Sequence, residues 1–174
     1  MEKGPVMKQR PYNPDTYHRH SVRHPTHDYR STGAYFVTIR AAQPEPVFDI
    51  PKLRAIVQET WDGLPQRYPG ITLDEFMIMP DHIHFVIWLD LGQDHPPSLA
   101  DVIRVYKSIT TVTWIKHIRA NNLTWPFPLW QRGYHDHVIR DQTELEQKRH
   151  YIRDNPRRLA AKLAAATKNS LHPL

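Results

Sequence analysis

Cysteine is absent from this chain of 174 residues. Its absence excludes disulfides, thiolate zinc sites and a cysteine nucleophile together. No apolar run approaches the roughly 20 residues that a membrane-spanning helix needs, and the leading segment has no apolar signal core. A cytoplasmic protein with no membrane contact is therefore expected. The length suits one domain able to bury a core of its own.

An excess of charge of either sign is missing from the middle of the chain. The net charge is +5, but residues 35–140 carry ten basic and eleven acidic groups. The excess sits in residues 1–34, with six basic and three acidic groups, and in 141–174, with seven and four. A near-neutral fold with basic ends suits a polyanion held along one side, because phosphate neutralisation supplies much of nucleic-acid affinity. Ordinary solubilising charge accounts equally well for that distribution on composition alone.

Residues 1–33 are rich in proline and histidine and poor in aliphatics, an irregular basic leader. Tyr35-Phe-Val-Thr-Ile39 reads as a first strand. Pro51 opens a helix with Leu53, Ile56, Val57, Trp61 and Leu64 at helical spacing. Thr72 to Met79 is a second strand, Pro80-Asp81 its turn, and His82 to Leu89 a third. Ser98 and Asp101 form a capping box for a helix reaching about Arg119. Trp130 to Ile139 reads as a fourth strand, and Asp141 with Glu144 caps a helix toward Asn155. Pro156 is expected to end that helix or start the next one.

This order predicts an α+β fold, the ferredoxin-like βαββαβ plan with one added C-terminal helix and a four-stranded antiparallel sheet. In that plan the helices cover one face, leaving the other for a ligand or nucleic acid. Residues 34–158 form the predicted folded domain, and 159–174 a short basic, alanine-rich tail.

His82 and His84 flank Ile83 on the third strand, so both imidazoles face one side. With 12 histidines, about one His-x-His pair is expected by chance. The chain has three, at His18/His20, His82/His84 and His135/His137. Only His82/His84 runs directly into a long apolar strand, Phe85-Val-Ile-Trp-Leu89. Two neutral imidazoles leave coordination positions open on a divalent ion, which can polarise a phosphate. A pair of satisfied core histidines is the structural alternative.

A nucleophile is offered by Tyr151, flanked by Lys148, Arg149, His150 and Arg153. Cationic neighbours favour a phenolate and hold a phosphate; an aromatic on a helix is otherwise core. Asn155 lies one turn on, on the same helical face. It fits a third metal ligand or an N-cap for the segment opened by Pro156.

Met79-Pro-Asp-His-Ile-His-Phe85, Lys107-Ser108, Leu129-Trp-Gln-Arg-Gly-Tyr-His-Asp-His-Val-Ile-Arg140 and Tyr151-Ile-Arg-Asp-Asn-Pro156 resemble the REP-associated tyrosine transposases, a branch of the single-tyrosine HUH transposases. The resemblance runs from about Arg19 to about Leu159. It implies that His82 and His84 are metal ligands for Mg²⁺ or Mn²⁺, that Tyr151 is the nucleophile, and that Asn155 holds the position of a Gln or Asn ligand. It implies a single-stranded DNA endonuclease and strand transferase acting at hairpins through a 5′-phosphotyrosine. By spacing His135/His137 is a rival metal pair, whereas the resemblance implies that this stretch supports the site.

Two other functions use the same residues: a domesticated nucleic-acid-binding protein with little or no cleavage, and a metal-dependent hydrolase in which Tyr151 is structural. Candidate DNA contacts are Arg19, Arg23, Arg104, Lys107, Arg149 and Arg153, each of which could equally be a solvated charge. Both a monomer and a homodimer fit, since the last helix can fold back in one copy or be exchanged between two.

Overall fold

Along Gly33–Arg40 every second residue is apolar and β-branched or aromatic, and the chain forms the strand β1 there. Tyr35, Val37 and Ile39 point to one side, and Ala34, Phe36 and Thr38 to the other. The computed structural model describes residues 33–90, 97–125 and 128–170. Arg19, Arg23 and the His18/His20 pair lie outside the described residues.

After β1 a 3-10 turn at Val47–Asp49 leads into α1 (Pro51–Asp62), opened by Pro51 as expected. Gly63 closes α1 early, so Leu64 and Pro65 start a separate turn, α2 (Leu64–Arg67), and the expected single helix is divided. The strands β2 (Ile71–Ile78) and β3 (His82–Leu89) follow as a hairpin. Ser98 caps α3 (Leu99–Ala120): its hydroxyl accepts from Asp101 N–H at 3.2 Å and donates to the Asp101 carboxylate at 2.6 Å.

The fourth strand is shorter than the sequence pattern predicts. Trp130 makes only an isolated bridge to Ala41, and β4 covers His135–Ile139. In the intervening loop Gln131 N–H still donates to Arg40 O at 3.0 Å, while the Lys107 ammonium donates to the carbonyls of Gln131 at 2.9 Å and Gly133 at 2.7 Å.

The strands are ordered β2-β3-β1-β4 with antiparallel neighbours throughout, the ferredoxin-like arrangement. The two crossover helices α1 and α3 pack on the face of Tyr35, Val37, Ile39, Ile83, Phe85 and Ile87 and form the main core with them. Among the described residues no helix is long and apolar enough to cross a membrane.

The other face is not left bare. The last helix, α4 (Gln142–Ser170), lies across it, burying Leu145 and Ile152 against Ala34 and Val86. Asp141 caps its start, accepting from Glu144 N–H at 2.8 Å. Pro156 neither ends the helix nor starts another, because Arg157 to Ala166 is built of strong helix formers that resume the spiral at once. The loss is one hydrogen bond, that to the Ile152 carbonyl. Asn155 is consequently a mid-helix residue and not an N-cap, and α4 crosses residue 158 without a break.

Candidate active site

His82 and His84 stand on the α4 side of β3, a central strand bonded to β1 and β2. The turn before them is pinned to the rest of the fold. Ala41 N–H donates to Asp81 O at 2.9 Å, and Phe48 N–H to Pro80 O at 3.0 Å. Asp81 in turn orients His82, its carboxylate 2.6 Å from Nδ1. Thr38, the partner of His84 across β1 and β3, places its hydroxyl 2.8 Å from His84 Nδ1.

With both Nδ1 atoms engaged, the two Nε2 atoms converge at 3.0 Å. Two ligands at right angles, each about 2.1 Å from one ion, would stand about 3.0 Å apart. Burial first, then the neighbouring His82 and Arg40, pushes the His84 imidazole down to about 4, against the pull of Asp81. It is therefore neutral at physiological pH, the form that binds metal. The carboxylate and hydroxyl behind the rings are the outer supports such ligands use. The pair thus fits a divalent ion, with open positions: among the described residues no cluster of three or more His, Cys, Asp or Glu side chains forms.

Tyr151 comes to this pair from α4 of the same chain. Its ring packs edge-on to His84 at 5.4 Å between centroids and edge-on to Phe36 at 5.8 Å, while Phe36 stacks on His84 at 5.5 Å. Its neighbour Ile152 takes the core position and is fully buried, whereas Tyr151 is 37% exposed. Asn155 lies one turn on and turns its amide back to the Tyr151 carbonyl at 3.3 Å.

The basic residues around Tyr151 separate onto two flanks of α4. On one, Arg149 forms a fork with Asp74, Nε to Oδ1 at 2.9 Å and Nη2 to Oδ2 at 2.6 Å, and Arg153 pairs with Glu75. Both carboxylates belong to β2, where pairing slips between Leu73 and Phe76. That β-bulge places two consecutive acidic residues toward α4, where regular alternation would turn one of them into the core. Burial pushes the Asp74 carboxyl up, but hydrogen bonds from Arg149 and Trp88 and the Arg149 charge outweigh it, leaving the group below the usual carboxylate range.

On the other flank lie Lys148, over the Phe36 ring at 5.2 Å, and Arg158, whose guanidinium carbon is 5.4 Å from the Tyr151 ring centroid. At the start of α4, Glu144 ties the helix to the opposite edge of the sheet through His137 at 2.5 Å and Arg140 N–H at 2.9 Å. His137 is thereby an anchor beside Phe36, its β1 partner, and His135 pairs with Thr38 one step nearer the hairpin end of the sheet.

The remaining candidates lie elsewhere. Arg104 and Lys107 are on α3, in the layer beneath the sheet; Arg104 pairs with Asp101 at 3.3 Å, and burial pushes the Lys107 ammonium down to about 8. The sequence pattern did not reveal Thr38, the Asp74/Glu75 bulge or Arg158. The bulge has a signal in hindsight: Leu73 and Phe76 are both core-facing yet three residues apart, an odd spacing for a strand.

Residues 46–155 match the family described as Transposase IS200 like. An uncharacterized protein of Haemophilus influenzae is 30% identical over 165 residues, spanning 83% of this chain and 92% of that protein. A four-stranded antiparallel sheet presenting paired histidines to a helix-borne tyrosine is thus found in a sequence of transposase type. The chain belongs to the IS200-like transposase family. A solved structure of a REP-associated tyrosine transposase bound to a REP hairpin shares its fold, with a TM-score of 0.55 at 18% identity, over 72% of this chain and 67% of that one.

Proposed function

We propose that this protein is a REP-associated member of its family, a metal-dependent endonuclease and strand transferase for single-stranded hairpin DNA, with Tyr151 as nucleophile. The observation that carries the reading is the edge-on packing of Tyr151 against His84 within one chain. The phenolic oxygen forms a bond to phosphorus as the bond to the 3′ oxygen breaks. The phenol gives up its proton, the departing 3′ oxygen gains one, and the 5′ end stays on the protein as phosphotyrosine. The ester conserves the bond for rejoining, so no nucleotide cofactor is consumed.

His82 and His84 would hold Mg²⁺ or Mn²⁺, with Asn155 a candidate third ligand; the ion would supply a Lewis acid for the phosphate. Imidazole favours Mn²⁺ on softness. Asp81 and Thr38 keep the imidazoles aimed, and Phe36 walls the tyrosine so that its ring approaches from one side. Arg19, Arg23 and Arg104 remain candidate DNA contacts, whereas Lys107 would first have to leave the Gln131 and Gly133 carbonyls, and Arg149 and Arg153 their carboxylates.

The test is incubation with single-stranded hairpin oligonucleotides and Mn²⁺, followed by denaturing gel and mass spectrometry. A covalent adduct abolished by Tyr151→Phe is expected. Cleavage without an adduct, unchanged in Tyr151→Phe, would establish the hydrolase instead. Tight binding with no cleavage of any hairpin would leave a binding module.

A further inference from the structure

Five cations on α4 lie close to Tyr151 in sequence or one or two turns along, and the fold divides them by function. Arg149 and Arg153 spend their charge on Asp74 and Glu75. Arg157 is exposed on the helix surface. Lys148 and Arg158 share the Tyr151 flank, three residues before it and seven after, which is one turn and two turns of helix. Among the described residues neither meets a carboxylate within ion-pair distance, although the Lys148 charge reaches Glu144 one turn earlier; each cation lies over an aromatic face.

We infer that Arg158 is a catalytic residue: its guanidinium, seated over the Tyr151 ring, binds the phosphoryl group that Tyr151 attacks and holds it through the phosphotyrosine intermediate. This inference rests on the nuclease reading above and extends it to a residue outside the motifs that suggested that reading. An attacked phosphodiester gathers negative charge on its non-bridging oxygens, next to the phenolic oxygen. A planar guanidinium binds two such oxygens at once, and a charge-assisted fork to phosphate is stronger than the pull of an exposed aromatic face. The ring is therefore a resting place from which a short swing of the side chain reaches the ester. The covalent step is unchanged: one P–O bond forms at Tyr151, one breaks at the 3′ oxygen, and Arg158 keeps its protons throughout.

The position of Pro156 strengthens the assignment. Had the chain turned away at this proline, Arg158 would have been carried off the helix. Because α4 continues through it, the two-turn spacing returns Arg158 to the Tyr151 side.

The experiment measures single-turnover adduct formation and, separately, hairpin affinity for the wild-type chain, Arg158→Ala, Arg158→Lys and Arg157→Ala. Arg158→Ala should slow adduct formation by about 10- to 100-fold, since a lost transition-state donor costs this order at a partly exposed site. Its hairpin affinity should change by less than about 3-fold, as for one phosphate contact among many. Millimolar guanidinium should restore part of the rate, Arg158→Lys should retain part, and Arg157→Ala should match the wild type.

A wild-type rate in Arg158→Ala overturns the inference, as does a rate loss that only mirrors weakened binding and does not respond to guanidinium. An equal loss in Arg157→Ala overturns it too, because the effect would then be general helix charge. Failure of the wild-type chain itself to form an adduct would overturn the nuclease reading and this inference with it.

Discussion

Removing the Arg149 side chain should loosen the tyrosine helix from the sheet. In Arg149→Ala the Asp74 carboxylate, its side chain only 10% exposed, loses both arms of the guanidinium fork. It keeps the indole N–H of Trp88 at 2.9 Å and the Glu75 N–H at 2.9 Å. Exposed ion pairs contribute about 0–1 kcal/mol and breaking a buried one costs about 3–5 kcal/mol. The Arg149 side chain is 25% exposed, so this pair lies between those limits, and a loss of about 2 kcal/mol is expected. Asp74→Asn should cost a similar amount, because the amide has one acceptor oxygen: turned to Trp88, it sets its NH2 against the N–H donors of Arg149 and Glu75. Urea unfolding of Arg149→Ala, Asp74→Ala and the double variant Arg149→Ala/Asp74→Ala closes a thermodynamic cycle. A coupling of about 1–2 kcal/mol is expected. A coupling below about 0.5 kcal/mol would place the pair with ordinary surface contacts and refute its role as a clamp.

Stability of the metal-free protein should fall on acidification above the range where carboxylates titrate. His84 titrates near 6.5 when unfolded and at about 4 in the fold, so its stabilising share is complete above about pH 6.5 and is lost as pH falls toward about 4. At about 1.4 kcal/mol per pH unit this sets a ceiling of about 3 kcal/mol; a Tm that holds level from pH 7 to 5, or falls equally in His84→Gln, would contradict it. Mn²⁺ should raise the wild-type Tm and leave His82→Ala/His84→Ala unmoved; equal shifts would place the ion elsewhere. Lys107→Met should free the Gln131–Gly133 loop, read as faster amide exchange there with the sheet unaffected; unchanged exchange would show that the loop holds itself.

Much of the fold was legible because each strand and helix announces itself locally. Alternation in Tyr35 to Ile39, the capping box at Ser98 and the helical stripes after Pro51 and Ser98 all report short-range physics, and their order selects the topology. The errors fell where a distant contact overrides a local preference. Trp130 to Tyr134 has the residues of a strand, yet Lys107, 24 residues back from Gln131, holds the carbonyls of that loop. Pro156 is a strong local stop, but Leu145 and Ile152 already seat the preceding turns on the sheet, and the alanine-rich stretch that follows carries the helix on.

The site was legible by the same logic, one strand at a time and one helix at a time, but its assembly was not. Period two places His82 and His84 on one face, and the helical period places Tyr151 with Asn155; neither says which face of α4 meets the sheet. That phase is set by Leu145 and Ile152 from below, by Glu144 with His137 at one edge, and by the Asp74/Glu75 bulge at the other. Turning α4 by one residue, about 100°, would exchange the flanks: Tyr151 would leave His84, and Arg149 and Arg153 would lose the bulge. Arginines that by composition belong to DNA binding are thus the ones that fix the rotation of the helix. Of the cations with no such duty, Lys148 and Arg158 are the ones set over the Phe36 and Tyr151 rings beside His84.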